Sequence, residues 1–212
     1  MKDIKNIYCV GRNYALHAKE LNNEIPTSPF LFSKPTHSLV EANGKSIMLP
    51  SNKGSVHFET ELVIHIANQY ESGMKVDEIV DAMAIGLDLT LRDVQSQLKQ
   101  KQHPWLLAKG FKNSAVLSEF IPFPGVEACE QLDFSLLKNG ERVQVGNIKD
   151  LLFDLQTIIE FTAEHFGLGK GDIIFTGTPS GVGPLSDQDK LSLNWGGNEI
   201  GSCSITLHSI KK

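Results

Sequence analysis

Apolar and polar residues alternate along Val56-His57-Phe58-Glu59-Thr60-Glu61-Leu62-Val63-Ile64. Val56, Phe58, Leu62 and Ile64 would therefore line one face of a strand that runs on to Ala67, interrupted only by Thr60. His57, Glu59 and Glu61 fall on the other face. The same alternation predicts short strands at Ile7–Val10, Phe30–Phe32 and Ile47–Pro50, and a buried one at Ile173–Phe175. Phe134–Lys138 and Glu141–Val145, joined by Asn139-Gly140, predict a β-hairpin, and Lys190–Trp195 with Glu199–His208 predict another strand pair around Gly196-Gly197-Asn198. Leu87 to Gln95 alternates as well, placing Asp88, Thr90 and Arg92 on one edge.

Helical spacing marks four stretches. Tyr14–Leu21 follows the candidate N-cap Asn13, and Val94–Gln102 reads as a short polar helix. Met74–Ile85 repeats apolar residues at Ile79, Val80, Met83 and Ala84, with Asp77 as cap and Gly86 as stop. Lys149–Phe166 carries a stripe of Leu151, Leu155, Ile158, Ile159, Thr162 and Phe166 and ends at Gly167.

Composition narrows the class. With 212 residues, 41% of them hydrophobic, the chain can form one sizeable core, and a single domain spanning 1–212 is expected. The net charge is −5, from 20 Lys plus Arg against 25 Asp plus Glu, and there is no basic run, so neither nucleic acid nor an anionic membrane is an expected partner. Three separated cysteines, Cys9, Cys129 and Cys203, form no C-x-x-C pair and indicate neither a disulfide framework nor a zinc cluster. The first ten residues lack the apolar core of a signal peptide, and the expectation is a cytoplasmic protein.

Candidate chemistry begins with Glu59 and Glu61. Carboxylates two apart on a strand point the same way, roughly 7 Å apart at the backbone, and can converge on one cation. The alternative is the wet face of an ordinary strand. Asp88 is either a solvent-facing strand residue or, since Asp is depleted in strands and invites a reason, a third metal carboxylate beside an anion-binding Arg92. His17 and Glu20, three apart on one helix, can touch, and a carboxylate beside an imidazole is the arrangement a general base needs, or else a surface ion pair on a short helix. Lys109 interrupts the apolar segment Pro104–Phe111 and is either a snorkelling lysine or a cation facing an acidic pocket. After the buried strand, Thr176-Gly177-Thr178-Pro179-Ser180-Gly181-Val182-Gly183 offers backbone amides and hydroxyls to a bound anion, or forms a tight structural turn.

The order Gly11-Arg12-Asn13-Tyr14 with His17 and Glu20, then Lys34-Pro35-Thr36, His57-Phe58-Glu59-Thr60-Glu61-Leu62, Asp88-Leu89-Thr90-Leu91-Arg92-Asp93-Val94-Gln95, Pro104-Trp105, Lys109, Asn139-Gly140, Gly171-Asp172 and Thr176 to Gly183 resembles the fumarylacetoacetate hydrolase family over nearly the whole chain. Its short, single-domain members, which act on acylpyruvates and oxaloacetate, are the nearer likeness. The resemblance implies an α+β, mostly β roll with a few peripheral helices, a homodimer, and a divalent ion, Mg2+ or Mn2+, on Glu59, Glu61 and Asp88. It matches His17 and Glu20 to a catalytic pair on a lid helix, and Lys109, Arg92, Gln95, Arg12 and Thr178 to residues facing the substrate. The chain departs from the family pattern at Phe58, at Lys112 and across Ser186-Asp187-Gln188-Asp189.

Three carboxylates leave about three positions of an octahedral ion for a 2-keto acid and water. Lys109 and Arg92 would then offset negative charge, and the ion with Lys109 would stabilise an enolate. His17, oriented by Glu20, is expected to activate water against the distal carbonyl of an acylpyruvate, releasing pyruvate as its enolate by carbon–carbon cleavage. The same site would serve an oxaloacetate decarboxylase or keto–enol tautomerase, and a non-catalytic dicarboxylate-binding protein is the reading from another class.

Overall fold

The computed structural model describes residues 3–21 and 23–208. Its architecture is mostly β, with three sheets and six short helices at their margins among the described residues. The largest sheet runs in the order Leu31–Lys34, Ile7–Val10, Ile173–Phe175, Thr60–Ile66, Val80–Asp88, Ala115–Leu117, Leu39–Glu41, and Ile121–Pro122 also pairs with Val80–Asp88. A second sheet of five strands joins the Phe134–Lys138 and Glu141–Gly146 hairpin to Lys190–Trp195, Asn198–His208 and Asn43–Pro50. Both hairpins thus form where alternation and turn residues place them. The main core fills the face carrying Leu62, Ile64 and Ile66, while Val63 on the opposite face packs with Cys9, Ala84 and Phe175.

Several expected elements take another form. Val80–Asp88 is a nine-residue strand, and only Val76–Ile79 before it is helical. The strand has neighbours on both edges and is buried from Met83 to Asp88, so its near-continuous apolar run shows no polar alternation to distinguish it from a buried helix. Gly86 is no helix stop. It lies within this strand, where an added Cβ would fall 2.6 Å from the Phe175 ring and 2.8 Å from Val63.

The stretch from Val56 to Ile66 is two strands rather than one. Val56–Phe58 belongs to a small three-stranded sheet with Thr90–Leu91 and Gly183–Pro184, and Thr60–Ile66 belongs to the large one. Glu59 sits at the break. Likewise the helix expected from Lys149 starts only at Leu155, where Asp154 accepts a hydrogen bond from Thr157 N at 2.8 Å as its N-cap. Asn13 does not cap the first helix, Ala15–Glu20; it accepts from Phe153 N and donates to the carbonyls of Phe153 and Thr176, tying the Gly11–Tyr14 turn to two distant segments.

Candidate active site

Register brings the carboxylates together. Thr60–Ile66 pairs antiparallel with Val80–Asp88, setting Glu61 opposite Gly86, and Asp88 N donates to the Glu59 carbonyl at 2.8 Å. Asp88 therefore ends its strand beside Glu59, at the point where the neighbouring chain changes sheets. Oxygens of Glu59, Glu61 and Asp88 lie within 4.8 Å of one another, and all three residues are buried. The wet-face alternative is excluded, since Glu59 is 5% exposed and Glu61 2%.

Buried carboxylates at this spacing need compensating charge. Lys109 provides some of it: the Leu106–Lys109 helix aims its ammonium inward, 2.7 Å from Glu59 Oε2 and 2.5 Å from Asp88 Oδ2. Of its two readings, the cation facing an acidic pocket holds. Arg92, the first residue of the helix Arg92–Gln100, donates to Glu59 Oε1 at 2.6 Å and to Gln95 Oε1 at 2.7 Å. With the Gln95 carbonyl so engaged, its amide nitrogen is the group that can donate to a ligand.

The third cation was not singled out from the sequence. Lys34 Nζ is wholly buried, 2.7 Å from Asp88 Oδ1, and also donates to the carbonyls of Leu89, Lys109 and Ser114. Its sequence signal was its place just before Pro35 in the Lys34-Pro35-Thr36 segment, at the end of an apolar strand.

Electrostatics separate the three acids. Burial tends to raise the pKa of Glu59, but Lys109 and Arg92 outweigh it and hold the carboxyl well below the ordinary range. Glu61 moves the other way: burial, with repulsion from Asp88 and Glu59, pushes its carboxyl well above that range. Burial opposes the charge on Lys109, yet Asp88 and Glu59 raise its pKa above the usual lysine value.

The glycine loop turns its backbone amides on the protein's own carboxyl groups. Gly177 N donates to Glu61 Oε2 at 2.8 Å, and Gly181 N donates to Glu20 Oε1 at 3.0 Å. Gly177 has φ +110°, and a Cβ there would meet Asn13 Cβ at 2.6 Å, so only glycine lets the amide approach Glu61. Glu20 is thereby fixed with its second oxygen 3.3 Å from His17 Nδ1.

One cavity of about 150 Å3 collects these groups. The carboxylates Glu59, Glu61 and Asp88 line it with His17, Lys109, Arg12, Arg92, Gln95 and Thr178. Glu20 stands behind His17 and is not in the lining, whereas Lys99, which no sequence motif marks, is. His57 does not line the cavity either, and burial and the nearby Arg92 lower its pKa.

Whether these acids fit a metal is answered by the donor set. Three buried carboxylates offer only hard oxygen donors, the chemistry that Mg2+ and Mn2+ prefer, and Glu61 has no ion-pair partner among the described residues. The set fits a divalent ion.

A mostly β fold thus gathers around one cavity a buried tricarboxylate cluster that could hold a metal ion, a buried lysine, and an imidazole backed by a carboxylate. The model of the fumarylacetoacetate (FAA) hydrolase C-terminal domain matches residues 6–207, and the chain belongs to this family. It is 38% identical over 200 residues to the oxaloacetate tautomerase YcgM of Escherichia coli K12, covering 93% of this chain and 91% of that protein. A mitochondrial oxaloacetate decarboxylase of Dictyostelium discoideum is 38% identical over 186 residues, covering 85% of this chain and 84% of that protein. Among solved structures, a fumarylpyruvate hydrolase from Pseudomonas aeruginosa in complex with Mn2+ and pyruvate superimposes with a TM-score of 0.89 at 31% identity, covering 97% of this chain and 91% of that one. No helix among the described residues is long and apolar enough to cross a membrane.

Proposed function

We propose that the protein is a Mg2+- or Mn2+-dependent enzyme for small 2-keto dicarboxylates, and that it catalyses keto–enol proton transfer on oxaloacetate. The carrying observation is the charge and size of the cavity. Lys34, Lys109 and Arg92 offset the three carboxylates, so a divalent ion, together with Arg12 and Lys99 in the lining, leaves the cavity net positive, the complement of a dianion. At about 150 Å3 the space is below the roughly 300 Å3 where pockets for drug-sized ligands begin, which suits a four-carbon acid. Relatives named for oxaloacetate chemistry support the same choice.

Glu59, Glu61 and Asp88 would hold the ion, which would supply Lewis acidity to the keto group of the substrate. His17 acts as the base. With Nδ1 held toward Glu20, Nε2 is the nitrogen that takes a proton from C3 of oxaloacetate. The C–H electron pair becomes the C2–C3 double bond, and the keto oxygen takes the charge. Lys109 stabilises that oxygen as it becomes an enolate, and its protonation gives the enol; the reverse steps return the ketone. Glu20 steadies the imidazolium while it holds the proton.

A second reading, hydrolysis of a short acylpyruvate, is favoured by the similarity to the fumarylpyruvate hydrolase holding Mn2+ and pyruvate. There His17 would direct water at the distal carbonyl, and Lys109 would stabilise the departing pyruvate enolate. Assaying the Mg2+-loaded protein on oxaloacetate and on acetylpyruvate separates the two. Enol–keto exchange of oxaloacetate outrunning pyruvate release from either compound supports the proposal; faster pyruvate release from acetylpyruvate rejects it in favour of hydrolysis.

A further inference from the structure

Gln144 lies in the strand Glu141–Gly146, behind the cavity, with its side chain buried. Its amide makes three hydrogen bonds. Oε1 accepts from the Thr60 backbone N–H at 2.9 Å, while Nε2 donates to Thr178 Oγ1 at 2.9 Å and to the Pro179 carbonyl at 2.9 Å. Chemistry fixes the orientation of this amide, because the Thr60 N–H can only donate and the Pro179 carbonyl can only accept.

A consequence follows for Thr178. Its oxygen is an acceptor toward Gln144, so its hydroxyl proton is directed elsewhere. The Pro179 carbonyl is 3.5 Å away, beyond a normal O–H···O distance, and already takes a hydrogen from Gln144. Thr178 lines the active-site cavity and Gln144 does not. We propose that Gln144 is a positioning residue that commits the Thr178 hydroxyl to donate into the cavity, so that this position accepts a carboxylate oxygen of a 2-keto acid. The same amide holds Thr60, between Glu59 and Glu61, and so ties the direction of that donor to the position of the tricarboxylate. This inference rests on the reading of the cavity as a 2-keto acid site.

Pyruvate, bound to the Mn2+-loaded protein and followed by calorimetry, tests it without turnover. In Gln144→Glu the new carboxylate accepts from the Thr178 hydroxyl and turns its proton away from the cavity. Pyruvate should then bind about tenfold more weakly, as it should in Thr178→Val, from the loss of one hydrogen bond to a charged group. The double variant should bind no worse than either single one, with Mn2+ stoichiometry kept; variants carrying Gln144→Glu are expected to melt lower, because the new carboxylate is buried against the Pro179 carbonyl. A multiplied loss of about a hundredfold in the double variant would show that Gln144 acts independently of Thr178 and overturns the proposal; so does wild-type pyruvate affinity in Gln144→Glu. If Gln144→Glu does not fold, Gln144→Met, which frees the Thr178 hydroxyl without adding charge, should weaken pyruvate binding only where Thr178 keeps its hydroxyl, and an equal further loss on the Thr178→Val background overturns the proposal. Mn2+-loaded wild-type protein that binds no pyruvate sinks the 2-keto acid reading itself, an outcome distinct from normal wild-type binding left unchanged by the variants.

Discussion

Lys34 and Asp88 form a buried ion pair of 2.7 Å beneath the candidate metal centre, contributed by an edge strand and by the end of a strand central to the same sheet. The ammonium also gathers the carbonyls of Leu89, Lys109 and Ser114, so it fixes both the backbone beyond Asp88 and the segment that carries Lys109. Lys34→Met removes one partner of a buried pair, and a loss of about 3–5 kcal/mol is expected in urea unfolding of the metal-free protein. Saturating Mn2+ should restore part of it by supplying positive charge beside Asp88. An unchanged midpoint would show that the pair adds nothing net.

Glu61 makes metal binding and stability depend on pH together. Its folded-state pKa is raised by burial and by Asp88 and Glu59, so between the unfolded value, about 4.3, and the raised folded value the native state binds more protons than the unfolded chain. Metal-free stability from this group therefore falls as pH rises through that window. A divalent ion competes with that proton, and the gain in melting temperature from Mn2+ over EDTA should widen from about pH 5 upward. Glu59, whose pKa is depressed, acts in a different window, its stabilisation being lost only as pH falls below the ordinary carboxylate value. A gain that stays flat or shrinks with rising pH would contradict the account of Glu61.

His17 and Glu20 divide the base's work. His17→Ala should lower kcat for oxaloacetate enol–keto exchange by about 10²–10⁴ while leaving Mn2+ affinity unchanged. Glu20→Gln keeps an acceptor for Gly181 N but loses the charge beside His17, so a smaller fall, about tenfold, is expected. Equal kcat in His17→Ala and wild type would remove His17 from the reaction.

Much of this arrangement is legible in the chain. Alternation, with Asn139-Gly140 as a turn, marks the hairpin that carries Gln144, and the i, i+3 spacing places His17 beside Glu20. Asp88 betrays itself as an acid in an apolar run. Val80–Asp88 escapes because a strand covered on both faces loses its period of two, and its apolar spacing also fits a helix. Lys34 escapes for another reason: its partner lies 54 residues away, and only the sheet order joins them. Gln144 looks like the polar side of a hairpin until the fold sets it against Thr60 and Thr178. Local pattern reports elements, whereas partners across sheets follow from topology.

The central claim is that Glu59, Glu61 and Asp88 hold one divalent ion. Glu61 isolates it best, because Asp88→Asn or Glu59→Gln would also leave buried lysine or arginine charge uncompensated, whereas Glu61 pairs with none among the described residues. Glu61→Gln mimics the protonated carboxyl that burial favours, so the metal-free variant should unfold at the same urea concentration as wild type or higher. Titrating both proteins with Mn2+, with free ion followed by its paramagnetic resonance, is the decisive measurement. Wild type should bind one Mn2+ per chain and folded Glu61→Gln should bind at least about tenfold more weakly; equal stoichiometry and affinity in the two would contradict the assignment.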